Sequence, residues 1–156
     1  MIRGCSGGNT YPVCMAMPES KSNISLYTMG HIVKKRVKFL LDSGAVLSVM
    51  TGKLARTLKL PALKKTDHKL VGATGQDLKV LGVAKDILIK LGELQFLTDF
   101  IVVENLIAPA VLGSNFLLSN SIVIYCEKMV VRKRNRCTPL LTENSKNGKM
   151  LVTVEQ

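Results

Sequence analysis

The sequence predicts an all-β domain with one or two short helices, and three observations carry that prediction. Apolar residues fall in short runs that either alternate with polar ones or continue unbroken, and both patterns suit strands. Gly, Pro and Asn interrupt these runs at short intervals. The core-forming stock is Val, Ile, Leu and Met, because hydrophobic residues make up 47% of the chain while aromatics reach only 4% and Trp is absent. At 156 residues the chain has the size of one domain and can bury an ordinary core without metals or disulfides.

Residues 1–23 are rich in Gly, Ser, Asn, Pro and Met without a period, and read as a flexible leader or linker. Two β-rich stretches follow at 24–28 and 33–41, with Gly30 between them as a turn signal. The second loses its polar alternation at Phe39-Leu40-Leu41, so it is expected to run into the core and stop at Asp42. Met50, Leu54 and Leu58 stand near helical spacing ahead of Pro61, which predicts a short helix or helical turns within 48–60.

Residues 71–78 carry two glycines between β-like arms and predict a mobile hairpin with its tip at Thr74-Gly75-Gln76. A second, longer hairpin is expected from Val80–Leu91 and Leu94–Val103 around Gly92-Glu93. After a loop containing Pro109 come Val111-Leu112-Gly113, a brief amphipathic piece at 114–118, and small strands at 122–125 and 129–131. Residues 132–156 are basic and polar and read as a tail or linker, which leaves 24–131 as the folded domain. No internal repeat is found.

Lys plus Arg total 22 against 11 Asp plus Glu, a formal net charge of +11. Such a surplus is either a solvated basic surface or a surface for nucleic acid or acidic membrane. The densest runs, Lys34-Lys35-Arg36-Val37-Lys38 and Arg132-Lys133-Arg134-Asn135-Arg136, are short, and no aromatic is interleaved to stack on bases. No apolar stretch approaches the roughly 20 residues of a membrane helix, and no continuous apolar signal segment opens the chain. A soluble, cytoplasmic protein is therefore expected. The cysteines at 5, 14, 126 and 137 form no Cys-x-x-Cys pair, and only His31 and His68 could join them, so free thiols in a reducing compartment are expected rather than a zinc site.

Asp42 is the first candidate for chemistry. It ends the apolar run Phe39-Leu40-Leu41 and precedes three small residues, Ser43-Gly44-Ala45, which places its carboxyl in a tight turn at the floor of a sheet. Burial disfavours the charged form and raises the pKa. An isolated buried Asp is more often a turn cap than a catalyst, so the weight falls on what surrounds it.

In sequence order, three features accompany one another: the apolar strand into Asp42-Ser43-Gly44-Ala45, the Gly-containing hairpin around Ala73, Thr74, Gly75 and Gln76, and the run Val111-Leu112-Gly113-Ser114-Asn115-Phe116-Leu117. Together they resemble the retropepsin family, the single-domain aspartic proteases of retroviruses and long-terminal-repeat retrotransposons of the Gypsy-like type, over about residues 26–131. Ser43 stands where Thr is commoner in that family, and Asn115 where retrotransposon members often have Asp. The resemblance implies a small closed-barrel-like acid-protease fold with a flap hairpin, built as one protomer of a twofold dimer. It implies Asp42 as the catalytic residue, Ser43, Gly44 and Ala45 as supports of the active-site loop, and Ala73, Thr74, Gly75 and Gln76 as the flap that binds substrate. Leu112 and Gly113 would be structural residues beside the site, and Val46, Leu81 and Leu112 are wall residues that could line specificity pockets, with core packing the stronger reading for any one of them. No metal or cofactor is implied.

Aspartic proteolysis needs two carboxylates so close that they share one proton. This chain has one such motif. Asp67, Asp77, Asp86, Glu93, Asp99, Glu104 and Glu127 lack a following Ser/Thr-Gly and read as surface acids, so a second protomer would have to supply the second Asp42. The expected function is homodimeric aspartic endopeptidase, acting in polyprotein processing. The rivals are a catalytically inactive dimerisation module of the same fold and a basic domain associated with nucleic acid.

Overall fold

Strands dominate the chain because its apolar runs can be buried from two sides. The computed structural model describes residues 10–12, 23–72, 75–146 and 149–154. In chain order the strands and helices are β1 (Thr10–Pro12), β2 (Asn23–Ile32), β3 (Lys35–Leu41), β4 (Val49–Thr51), α1 (Gly52–Thr57), β5 (Lys69–Val71), β6 (Asp77–Leu78) and β7 (Val80–Leu91). They continue with β8 (Leu94–Val103), β9 (Ala110–Leu112), α2 (Ser114–Ser119), β10 (Val123–Tyr125), β11 (Val130–Lys133), β12 (Arg136–Lys146) and β13 (Lys149–Val154).

The main sheet runs β2-β3-β9-β4-β8-β7, and β7 returns to β2 through the pairs His31↔Lys90 and Ile32↔Ile89, which closes a barrel. Within it β9 lies parallel to β3 and antiparallel to β4, and β4 lies parallel to β8. A meander of β10, β11 and β12 continues the sheet beyond β2, with β13 on the far side of β12. A small separate sheet sets β1 parallel to β5 and β5 antiparallel to β6.

Two-sided burial explains why the sequence runs are unbroken. Phe39 and Leu41 of β3 pack into one cluster with Ile89, Phe100, Leu112 and Phe116, while Leu40 between them faces a second cluster with Tyr27, Ala45, Val49 and Val111. On β8, Phe100 and Val102 join the first cluster and Ile101 and Val103 the second. Alternate residues of one strand thus serve two cores, and no polar face remains. Few as they are, the aromatics are central: all four Phe residues are buried and Phe96 meets Phe116 edge to face at 5.1 Å. The expectation of a purely aliphatic core therefore fails.

Three further expectations are corrected. Gly30 is no turn; β2 runs through it, because a Cβ there would lie 2.5 Å from the Lys90 carbonyl and 2.9 Å from the Phe39 ring. The reversal falls instead at Val33-Lys34, with Val33 at φ 58°. The segment 48–60 begins as β4 and turns helical only at Gly52, where the Thr51 hydroxyl caps α1 by accepting the Leu54 N–H at 3.1 Å.

The third correction concerns the ends. Residues 132–156 are not a polar tail throughout, because they contain β12, which pairs with both β11 and β2. Its inward positions are Thr138 and the fully buried Leu140, between exposed Arg136, Cys137 and Pro139. A Thr and a Pro in an alternating pattern hide its period of two from a reading by residue type. Within the expected leader, β1 pairs with β5; the rest of 1–22 lies outside the described residues. Cys126 and Cys137 are exposed thiols, and no helix among the described residues is long and apolar enough to cross a membrane.

Leu140→Ala tests the correction directly. As a core position it should lose about 2–5 kcal/mol in denaturant unfolding, whereas a tail residue would lose nothing measurable.

Candidate active site

Asp42 leaves the end of β3 with its backbone still in the sheet, since its N–H donates to the Leu112 carbonyl at 3.1 Å. The next three residues are small, so the chain turns at once: the Ala45 N–H donates to the Asp42 carbonyl at 3.1 Å, and the Gly44 N–H to Asp42 Oδ1 at 2.9 Å. The side chain thereby holds its own turn. Its other oxygen, Oδ2, is buried without a hydrogen-bond partner. Burial is the largest influence on this carboxyl and pushes its pKa above the ordinary 3.8, against the opposing pull of the Gly44 and Ala45 N–H groups.

The turn is clamped from beneath by the segment that follows β9. Ser114 N–H donates to the Ala45 carbonyl at 2.7 Å and Asn115 N–H to the Val46 carbonyl at 3.2 Å. The buried Ser48 hydroxyl accepts from the Gly113 N–H at 3.1 Å and donates to Asn115 Oδ1 at 3.0 Å. Gly113 is required by space alone: a Cβ would stand 2.6 Å from the Leu47 carbonyl and 2.7 Å from that of Ala45. Asp42, Ser43, Gly44, Ala45, Leu112 and Gly113 are thus brought into one unit. Ser43 is exposed at its rim.

Ser48, whose bonds to Gly113 and Asn115 tie the first motif to the third, is the part of this unit that a motif-by-motif reading passes over. The available signal was Ser48 itself, a lone hydroxyl within the apolar run Val46 to Met50, since a buried hydroxyl demands a partner.

The hairpin is present as β5 and β6, closed by Gly72 N–H to the Gln76 carbonyl at 2.8 Å and Gly75 N–H to the Gly72 carbonyl at 2.9 Å. Gly75 sits at φ 87°, which favours glycine. Ala73 and Thr74 lie outside the described residues, while Gly75 and Gln76 are exposed. Leu70, at the base, packs in the cluster that contains Ala45, and so ties the hairpin to the Asp42 turn.

Of the residues expected to line pockets, Leu112 is fully buried in the core and Leu81 lies against Gly52 of α1, so only the half-exposed Val46 remains at the turn. Asp99 is not a free surface acid. Burial alone would raise its pKa, but the Asp86 N–H at 2.8 Å and the Lys85 ammonium at 2.9 Å outweigh that and hold it below 3.8. These bonds secure a bulge in β7, where Asp86 has φ 53°.

A closed barrel carrying one Asp-Ser-Gly-Ala turn, braced by an apolar-apolar-Gly segment, defines a retropepsin-like aspartic protease. Residues 28–119, more than half of the chain, match the family model described as "gag-polyprotein putative aspartyl protease", and the chain belongs to that family. Among solved structures it is similar to the retroviral protease-like domain of Ddi1 from Leishmania major, with a TM-score of 0.64 at 21% identity over 75% of this chain and 93% of that one. That likeness shows the fold. It is also similar to a retropepsin-like aspartic protease from Rickettsia conorii, at 15% identity and a TM-score of 0.44 over 82% and 98% of the two chains.

Two outcomes follow from the geometry. Ser48→Ala strands the Gly113 N–H and Asn115 Oδ1 together and should cost about 1–3 kcal/mol in equilibrium unfolding. Asp42→Asn should raise the unfolding midpoint at pH 7. With a folded pKa above the unfolded 3.8, the carboxyl favours the fold below pH 3.8 and loses that contribution as pH rises through the folded value. The advantage of the variant should therefore vanish in scans below pH 3.8.

Proposed function

We propose that the chain is an aspartic endopeptidase that works as a homodimer and cleaves peptide bonds in a polyprotein. The observation that carries this reading is the Asp42 carboxyl, with one oxygen locked into its own turn and the other buried, unpartnered and biased toward protonation. A buried carboxylate oxygen without a partner is costly. A second Asp42 sharing one proton with it across a twofold axis would remove that cost and create the dyad. Exposed Ser43 would stand beside the axis, where its hydroxyl could brace the partner loop.

In this mechanism one Asp42 takes a proton from a water as the water oxygen bonds to the scissile carbonyl carbon. The Asp42 of the second copy gives its proton to the carbonyl oxygen. As the tetrahedral intermediate collapses and the C–N bond breaks, the first Asp42 gives its proton to the leaving nitrogen and a hydroxyl of the intermediate returns a proton to the second, which restores the one-proton dyad. The substrate would lie extended over Gly44, with the hairpin residues Ala73, Thr74, Gly75 and Gln76 closing above it and excluding water. The dyad must keep one proton, so activity should decline on the alkaline side as the pair loses it.

The test is cleavage of a mixed peptide library by purified protein across mildly acidic to neutral pH, with sedimentation to establish the dimer. Turnover abolished both by Asp42→Asn and by a transition-state inhibitor of aspartic proteases is the expected result. A dimeric but inert wild type would leave a fold without its activity.

A further inference from the structure

One cavity among the described residues lies away from Asp42. It is a groove of about 830 Å³ at the opposite end of β3, where Arg36 lies roughly 20 Å from Asp42 at about 3.3 Å per extended residue. The groove opens where the edge of β2 changes partner. β12 pairs with β2 as far as Leu140↔Thr28, β7 takes over at His31↔Lys90, and Met29 and Gly30 fall between the two.

Floor and rim differ in chemistry. Met29, Pro139 and Leu141 give the floor an aliphatic surface. The rim carries Arg36, His31 and Lys90, which stand side by side on three adjacent strands through the pairs His31↔Arg36 and His31↔Lys90. With strands about 4.8 Å apart, the three basic side chains originate within about 10 Å. Among the described residues, no carboxylate lines the groove. Glu93, next to the groove residue Gly92, is taken up by Arg136, and the ion pairs among the described residues include neither Arg36 nor Lys90.

We propose that this groove docks an extended acidic polypeptide segment, whose carboxylates meet Arg36 and Lys90 while its apolar side chains cover Met29, Pro139 and Leu141. Charge complementarity selects an anion, and the +11 net charge draws it in. The aliphatic floor selects a peptide among anions. A nucleic acid would find no aromatic side chain among the described lining residues to stack on, and a bilayer surface does not enter a concave groove. The inference is independent of whether Asp42 turns over substrate.

The test is fluorescence anisotropy with a labelled dodecapeptide of alternating Glu and Leu, titrated with the full chain at low and high salt. Arg36→Glu/Lys90→Glu should weaken binding at least about tenfold, and Arg36→Gln/Lys90→Gln should weaken it less, in the same direction. The pair Lys53→Glu/Lys59→Glu at α1, matched in charge change, should leave it unaltered. A Glu-Ser peptide of equal length should bind more weakly than Glu-Leu, and unchanged unfolding midpoints would show that the variants fold. Equal losses from both reversed pairs would overturn the proposal. So would tighter binding of a uridylate dodecamer, or of vesicles containing phosphatidylserine, with the loss mapping to Arg36 and Lys90.

Discussion

Close approach of backbone to backbone at Gly113 is the constraint on which the rest of this structure depends. β9 is inserted between β3 and β4, so the chain leaving it must pass directly under the turn that joins those two strands. Only a residue without a side chain fits there, with the Ala45 and Leu47 carbonyls under 3 Å from where a Cβ would be. Once that approach is made, the Ser114 and Asn115 N–H groups reach the Ala45 and Val46 carbonyls, and Ser48 ties Gly113 to Asn115. A turn of three small residues, mobile in isolation, becomes a fixed platform for one carboxyl.

The barrel supplies that platform with its stiffness. β3, β8 and β9 each feed alternate side chains to two apolar clusters, so displacing the Asp42 turn would disturb both cores together. The hairpin that faces the turn is built differently. Its two strands join each other through the pairs Leu70↔Leu78 and Val71↔Asp77, β1 adds three parallel pairs to β5, and Leu70 anchors it to the cluster that holds Ala45. The Asp42 turn is therefore held by two cores and the hairpin by a small separate sheet and one apolar anchor. The groove at the far end of β3 arises from a different feature of the same barrel, the handover of the β2 edge from β12 to β7.

Where residue type and local period agree with burial, the elements were legible. The hairpin of β7 and β8 was readable because Ile87, Ile89 and Leu91 alternate with exposed neighbours around the turn glycine Gly92. The turn at Asp42 was legible because an apolar strand stops there at an acid and three small residues, and the two later motifs, in order, singled it out from an ordinary turn cap. Gly30 misled because its glycine answers to space between strands and not to a turn. β12 was hidden because one of its core positions is the polar Thr138 and its exposed edge includes Pro139, so apolar alternation is broken and a strand breaker stands inside it. For the apolar wall residue Leu112 core packing was the stronger of the two readings, and the structure buries it fully.

By itself, then, the sequence determined the class of fold, the position of the single acidic turn and the family, because each depends on local pattern: strand period, turn residues and a short run of small groups. Tertiary structure alone decided the pairing of β9 between β3 and β4, the bracing of the turn by Ser48 and Asn115, the burial of one Asp42 oxygen and the basic groove beside Arg36 and Lys90. These depend on contacts between residues far apart in the chain, where space, desolvation and the geometry of strand pairing act and residue order is silent.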